Sequence, residues 1–373
     1  MRNYNLKDKY FSKMEMYDGG AMFIGAYVLQ LLLQFIFSII LVTTKVAESF
    51  TTSFAGICIV AVLNEIAMIA TPLAYSKIRS TNLFADMGVK VKMSAWQVLT
   101  IIAIAGVTIA AFAPIANGFV NLVVMTGYDQ SAMAEIEVNS VGKFFIALFI
   151  MCILPAICEE LLYRGMIGRA FADKGYIFAV FMSGLFFALM HGNPIQLIHQ
   201  FFLGCVCCAV YFLTRSFWSA VIVHFFNNFI AILGNFIGFL VGKQLAYKWW
   251  VGLIISIAGI CALGGLFFLL YKLCVARRKK EDFENNRVFA NVAEKEIGVL
   301  FESKTEVEAY ELDKSILDKQ LDECANEEMK EVLRGTRKEE SAAVRKKNKL
   351  SLIYSLVIAI AIWILNTALN YLS

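Results

Sequence analysis

Two adjacent carboxylates, Glu159 and Glu160, stand one helical turn before Arg164 at the end of a strongly apolar run that begins near Val141. A carboxylate at bilayer depth costs about 3 kcal/mol by insertion scales and more by other measures, so a pair of them needs a partner or a task. Glu160 and Arg164 have i,i+4 spacing, which sets a carboxylate against a guanidinium on one helical face. A bidentate fork there would keep Glu160 ionised. Glu159 points about 100° away around the helix and is left for chemistry. The three histidines of the chain, His191, His199 and His224, all follow closely. Phe187 and His191 are i,i+4, so the ring can wall one side of the imidazole. His224 and Asn228 are also i,i+4, and an imidazole and a carboxamide on one face can donate two hydrogen bonds to a developing oxyanion. They can equally bind a metal or a water.

The helix carrying Glu159 can continue to about Asp173, where Lys174-Gly175 make a turn. Glu159 lies sixteen residues before Gly175 and His191 sixteen after it. At about 1.5 Å per residue both sit about 24 Å from the turn, so they can meet across an antiparallel hairpin. A free carboxylate, two histidines, an amide and an Arg–Glu clamp can activate a water and stabilise a tetrahedral intermediate. The plain alternative is a polar network that holds the bundle together. His199 begins the next span, which places it near the surface in an interfacial or structural role. Gln200 beside it can lend a hydrogen bond to the site, and Gly204 permits close helix packing. Glu65, with Asn64 beside it in an earlier span, reads as a structural hydrogen bond or ion pair, or as an intramembrane acid with a role.

The elements that position these residues are membrane helices. The 373 residues are 59% hydrophobic and 17% charged, against about 45–50% and about 25% in soluble domains. Spans of about 20 apolar residues are expected at about 21–43, 54–75, 96–118, from 141 through the two glutamates, 176–192, 196–213, 217–239, 249–274 and 350–371. The fold class is therefore all-α, a polytopic transmembrane helix bundle of about nine spans. Residues 1–275 form the bundle, 276–349 a charged insert read as a solvated, helical or partly disordered cytoplasmic spacer, and 350–373 the last helix. Lysines and arginines alternate between loops so that the N-terminus and the insert are cytoplasmic and the C-terminus outside. No cleavable secretory signal is expected. The net charge of +4 gives no argument for nucleic acid, and the nine cysteines contain no C-x-x-C pair.

At Glu159-Glu160 with Arg164, Phe187 with His191, and His224 with Asn228, the chain resembles the CPBP family of intramembrane proteases, also called the Abi or type II CAAX-protease family. The motifs of that family are E-E-x-x-x-R, F-x-x-x-H and H-x-x-x-N/D. Pro155, Gly165 and the Ser216-Phe-Trp218 lead-in also look like the family, and the resemblance covers about residues 141–230. It implies a glutamate-dependent peptidase in the bilayer. Eukaryotic members cut the last three residues from prenylated CAAX proteins, and many bacterial members are linked to bacteriocin self-immunity or peptide maturation. Glu159 would then be the general base for water with His191 beside it. His224 and Asn228 would form the oxyanion hole, and Glu160 and Arg164 would position the set. The implied partners are the lipid bilayer and a peptide or lipidated-protein substrate in it, and the expected location is a prokaryotic plasma membrane. Glu159, His191 and His224 also make a three-ligand set for zinc with one position open, whereas Asn228 and the lack of H-E-x-x-H suit a metal-free route; zinc stays open at this point. The competing reading is a non-catalytic immunity or scaffold protein that uses the same network for structure or partner binding. A proton-relaying transporter is a weaker third, because no inverted repeat is evident.

Overall fold

The computed structural model describes residues 14, 16–46, 50–78, 83–128, 136–241, 248–284, 350–365 and 367–368. Every regular element among them is helical. Seven helices are long and apolar enough to cross a membrane: α1 (Met16–Thr43), α2 (Phe54–Ile78), α3 (Ala95–Met125), α4 (Val141–Phe171), α6 (Pro194–Thr214), α7 (Phe217–Val241) and α8, whose spanning part is Trp249–Arg278. Two apolar helices are shorter, α5 (Tyr176–Met190) and α9 (Leu350–Leu365). All nine expected spans are therefore present as helices, in an all-helical bundle. The fifteen residues of α5 rise only about 22 Å, short of a bilayer core of about 30 Å. Helix α8 runs on to Glu284, past the expected edge of the bundle at 275. The remainder of the expected insert lies outside the described residues.

Large apolar side chains such as Leu32, Phe35, Phe149, Phe181, Ile254 and Phe268 face outward. In water that surface would be a liability; in lipid it is the ordinary exterior of a bundle. Seven apolar spans and this exterior fit an integral membrane protein. Helix α3 packs against α6, α7 and α8, while α1 and α2 pack together, and α2 against α4. The last helix returns to the start of the chain. Gly20 of α1 leaves the space that Ser355 fills, and Ser351 Oγ donates to the Tyr17 carbonyl.

The motif helix α4 is not a regular α-helix. Two π-helical turns, Leu148–Ile153 and Tyr163–Ile167, flank the α-helical stretch Leu154–Leu162 that bears both glutamates. In each, a backbone N–H reaches back five residues, from Leu154 to Phe149 and from Gly168 to Tyr163. Such bulges concentrate at functional sites, because each re-aims the side chains that follow it. Pro155 supplies a local reason for the first, since it lacks the N–H that would bond to the carbonyl four residues earlier.

A 3-10 turn, Ala172–Lys174, ends in Gly175 at φ 103°, a backbone region that only glycine enters without strain. The expected hairpin turn is therefore where the spacing placed it, and α5 runs back from it. Asn193 then caps α6 by accepting from the Ile195 N–H, with Pro194 at the first helical position. At the far end of α6 the Thr214 hydroxyl donates to Ser219 Oγ. Ser216 Oγ and Trp218 Nε1 donate to the carbonyls of Val91 and Val89, at 3.1 and 3.0 Å. Arg277 and Arg278 of α8 donate to the Thr214 and Leu213 carbonyls, both at 3.0 Å, which satisfies the end of α6. These contacts fix the start of α7, and so the depth of His224.

Helices α5 and α6 touch at two glycines. A Cβ on Gly204 would lie 2.8 Å from the Gly184 Cα, and a Cβ on Gly184 would lie 2.8 Å from the Phe201 carbonyl oxygen. Close backbone approach of this kind is how membrane helices associate without a hydrophobic drive between them. Gly184→Ala is expected to destabilise the bundle by about 1–3 kcal/mol, because the obstacle is backbone and cannot move aside. Gly118→Ala in α3, where an added methyl meets nothing within 4 Å, is expected to stay within about 1 kcal/mol of the parent. Thermal unfolding of the two variants in detergent, followed by tryptophan fluorescence, checks the contrast.

Candidate active site

Glu160 and Arg164 are wholly buried, and their ion pair closes at 2.9 Å between Nη1 and Oε1. The i,i+4 spacing thus forms the expected clamp, but not as a bidentate fork. The other arm of the guanidinium, Nη2, donates to the Gly204 carbonyl at 2.9 Å. Its flat face lies 5.0 Å from the centre of the Phe187 ring, a cation–π contact that is strongest when both groups are dry. The expected close packing at Gly204 is present, and it also brings a carbonyl within reach of Arg164.

Glu160 Oε1 carries a second partner, His224 Nδ1, at 2.8 Å. Glu160 is therefore the joint between motif helix α4 and α7. An ionised carboxylate only accepts hydrogen bonds, so Nδ1 of His224 must bear the proton. That fixes the ring and leaves Nε2 turned toward Glu159, 3.9 Å from its Oε2. This distance is beyond a direct hydrogen bond, so both atoms keep a face for a third group. The Glu159 side chain is 15% exposed, whereas Glu160 and Arg164 are 0% exposed.

His191 ends α5 and is partly exposed. Its Nδ1 lies 2.8 Å from the Phe187 carbonyl. A carbonyl also only accepts, so Nδ1 carries a proton here too. The Phe187 ring lies 5.1 Å from the His191 ring and 5.6 Å from the His224 ring, centre to centre. The expected wall against His191 is present, and the same ring packs against His224. No direct hydrogen bond or ion pair joins Glu159 to His191 among the described residues; the carboxylate has His224 of α7 and Glu65 of α2 beside it.

Asn228 lies one turn beyond His224, and its Nδ2 donates to the Met151 carbonyl at 3.0 Å. Met151 is the residue four before Pro155, so this is the carbonyl that the proline deprives of its usual donor. Asn227 Nδ2 in turn donates to Asn228 Oδ1 at 3.2 Å, which fixes the orientation of the amide. One Nδ2 hydrogen of Asn228 is thus committed to the backbone and one remains. His199 is half-buried at the start of α6, beside Asn227 and within interaction range of His191.

Sequence spacing missed Glu65. Its side chain, 5% exposed, reaches the carboxyl of Glu159 from α2. An acid in the middle of an apolar run was the available signal; its partner was not legible. Asn64 beside it accepts instead from Gln34 Nε2 of α1 at 2.8 Å.

The zinc reading does not fit these donors. Among the described residues no three His, Cys, Asp or Glu side chains are grouped to hold a metal ion. No step is routed through a metal.

The two neighbouring glutamates should respond differently to substitution. Glu160→Leu strands Arg164 and the His224 N–H in the interior and is expected to cost about 3–5 kcal/mol. Glu159→Gln, at a site that already reaches solvent, is expected to cost about 1 kcal/mol or less. Chaotrope or thermal unfolding of the purified variants compares them directly.

No curated protein and no solved structure matches the chain. A protein-family model does match, over residues 141–230, and it is described as type II CAAX prenyl endopeptidase Rce1-like. The matched segment begins at the N-terminus of α4 and ends within α7, so it contains the glutamate pair, Arg164, all three histidines and Asn228. Residues 141–230 are thus similar to the type II CAAX prenyl endopeptidase Rce1-like model, over the same stretch as the CPBP/Abi resemblance.

Proposed function

We propose that the protein is an intramembrane peptidase that hydrolyses a peptide bond of a membrane-associated or lipidated substrate. The observation that carries the reading is the split between the two glutamates: Glu160 is sealed in with Arg164 and His224 Nδ1, while Glu159 reaches solvent 3.9 Å from His224 Nε2. Glu159 takes a proton from water, and the oxygen adds to the scissile carbonyl carbon. His191 flanks the water through Nε2. His224, held at Nδ1 by Glu160, donates from Nε2 to the developing oxyanion. The remaining Asn228 amide hydrogen completes the oxyanion hole. Arg164 pairs with Glu160 and touches no reacting atom, so it is a positioning residue.

The substrate class follows from where the site lies. It is held between helices with lipid-facing exteriors, so its substrate comes from the membrane or is tethered to it. A C-terminal peptide that carries an isoprenyl chain on cysteine has that property. The lysines and arginines of alternate loops support a cytoplasmic N-terminus and insert, in a prokaryotic plasma membrane.

A quenched fluorescent peptide with an S-farnesyl cysteine three residues from its C-terminus tests this in proteoliposomes. Wild-type protein is expected to cut it after the cysteine and to cut the unlipidated peptide more slowly. Glu159→Gln is expected to lower kcat by about 100-fold to 10,000-fold, and Asn228→Ala by about 100-fold. Continued cleavage by a monodisperse Glu159→Gln protein would remove Glu159 as the base, and absence of cleavage by the wild-type protein would leave a structural or partner-binding role for the network and sink the peptidase reading.

A further inference from the structure

We propose that Glu65 of α2 and Glu159 of α4 share one proton, and that this carboxyl pair, rather than Glu159 alone, is the catalytic base. The proposal rests on the peptidase reading above and adds a residue that lies outside the matched segment. The Glu65 carboxyl is buried and lies within hydrogen-bond reach of the Glu159 carboxyl. Glu65 Oε2 and Glu159 Oε2 are both shielded from solvent, and neither accepts an N–H or O–H from any described residue. Two ionised carboxylates cannot hydrogen-bond, because each only accepts. Like charges in contact in a dry site cannot both persist either, and one proton between them resolves both problems.

The surrounding groups agree with a single shared proton. From α4, Glu65 is faced by Glu159 and Cys158, and Tyr163 also lies near Glu159. Helix α6 brings Cys207 near Glu159, and α7 brings His224 to it. Arg164 is paired with Glu160. Among the described residues no lysine or arginine forms an ion pair with Glu65 or Glu159.

The reaction balances through this pair. Water gives a proton to the Glu159 side as its oxygen bonds to the carbonyl carbon, and the carbonyl π electrons move onto oxygen. The pair then holds two protons, one on each carboxyl. When the tetrahedral intermediate collapses, the C–N bond breaks and its electrons leave with nitrogen. Nitrogen takes one proton from the pair, so acid and amine are released and the pair keeps one proton. Two carboxyls that share a proton serve aspartic proteases in the same way.

The pH profile of kcat for the farnesylated peptide distinguishes three roles by sign. If Glu65 supplies the proton that stabilises the Glu159 anion, Glu65→Leu removes that donor. The acidic limb then moves to higher pH, by about one unit, and kcat at its optimum falls at least tenfold. Glu65→Gln, whose amide can still donate, should give a limb closer to wild type. If Glu65 is instead an ionised neighbour, Glu65→Leu moves the limb to lower pH. If it is a packing residue, the limb stays in place. Either of the last two outcomes overturns the proposal. Infrared spectra of the resting protein give a second arm that needs no turnover: the C=O stretch of a protonated carboxyl should be lost in Glu65→Gln and lost or displaced in Glu159→Gln. A spectrum unchanged in Glu65→Gln also overturns the proposal. Absence of cleavage by the wild-type protein would refute the peptidase reading itself, whereas wild-type cleavage together with an unmoved Glu65→Leu limb refutes only the shared proton.

Discussion

The ion pair between Glu160 and Arg164 is the constraint on which the rest of the site depends. Each of these charges, taken alone out of water, would cost several kcal/mol, and their attraction offsets that cost only when the remaining hydrogen-bonding capacity is also used. Arg164 uses its second arm on the Gly204 carbonyl, which requires the α6 backbone to come close. Close approach in turn requires glycine at 184 and 204. Glu160 Oε1, which meets Arg164, also takes the His224 Nδ1–H, and the Phe187 ring packs against the guanidinium. The three sequence motifs therefore meet at one buried charge pair, and the spacing within each motif follows from what that pair needs on α4, α5 and α7.

A second constraint comes from the backbone. Pro155 interrupts the hydrogen-bond ladder of α4 just before the glutamates, and the Met151 carbonyl takes its donor from Asn228 instead. The irregular helix and the polar residue on α7 thus stabilise each other, since an unpaired carbonyl in this environment costs several kcal/mol. The amide is oriented by the same bond. In both site histidines an acceptor-only partner at Nδ1 leaves Nε2 pointing into the site. One partner is a carboxylate and the other a neutral carbonyl, so two identical side chains have different groups behind them.

Much of this was legible in the sequence wherever the relevant distance runs along one helix. Apolar runs of about 20 residues located the spans, Gly175 located the hairpin turn, and the i,i+4 spacing of Glu160 with Arg164 and of Phe187 with His191 placed real neighbours. Lateral contacts were not legible. Nothing in the spacing says that Glu160 meets His224, that Arg164 finds Gly204, or that Glu65 lies against Glu159, because the azimuth of one helix relative to another is set by packing. The hairpin count for Glu159 and His191 compared depth alone. One π-helical turn, Tyr163–Ile167, lies between Glu159 and Gly175 and adds a residue that a regular count does not include. His199 stands half-buried at the start of α6, and its neighbour Asn227 is another lateral contact that the position of a span does not show.

The adjacency of the two glutamates also has a physical sense. Consecutive residues on a helix point about 100° apart, so one stretch of α4 can present two carboxylates to two different environments at the same depth. The side toward α6 and α7 offers an arginine and an imidazole N–H, which hold a carboxylate ionised. The side toward α2 offers a second carboxyl and, within direct hydrogen-bond range, no cation. A group held firmly in one protonation state makes a good anchor and a poor base, because a base must change state during the reaction. In the proposed reaction the anchoring and the proton transfer need opposite surroundings, and the helix separates them by a single residue.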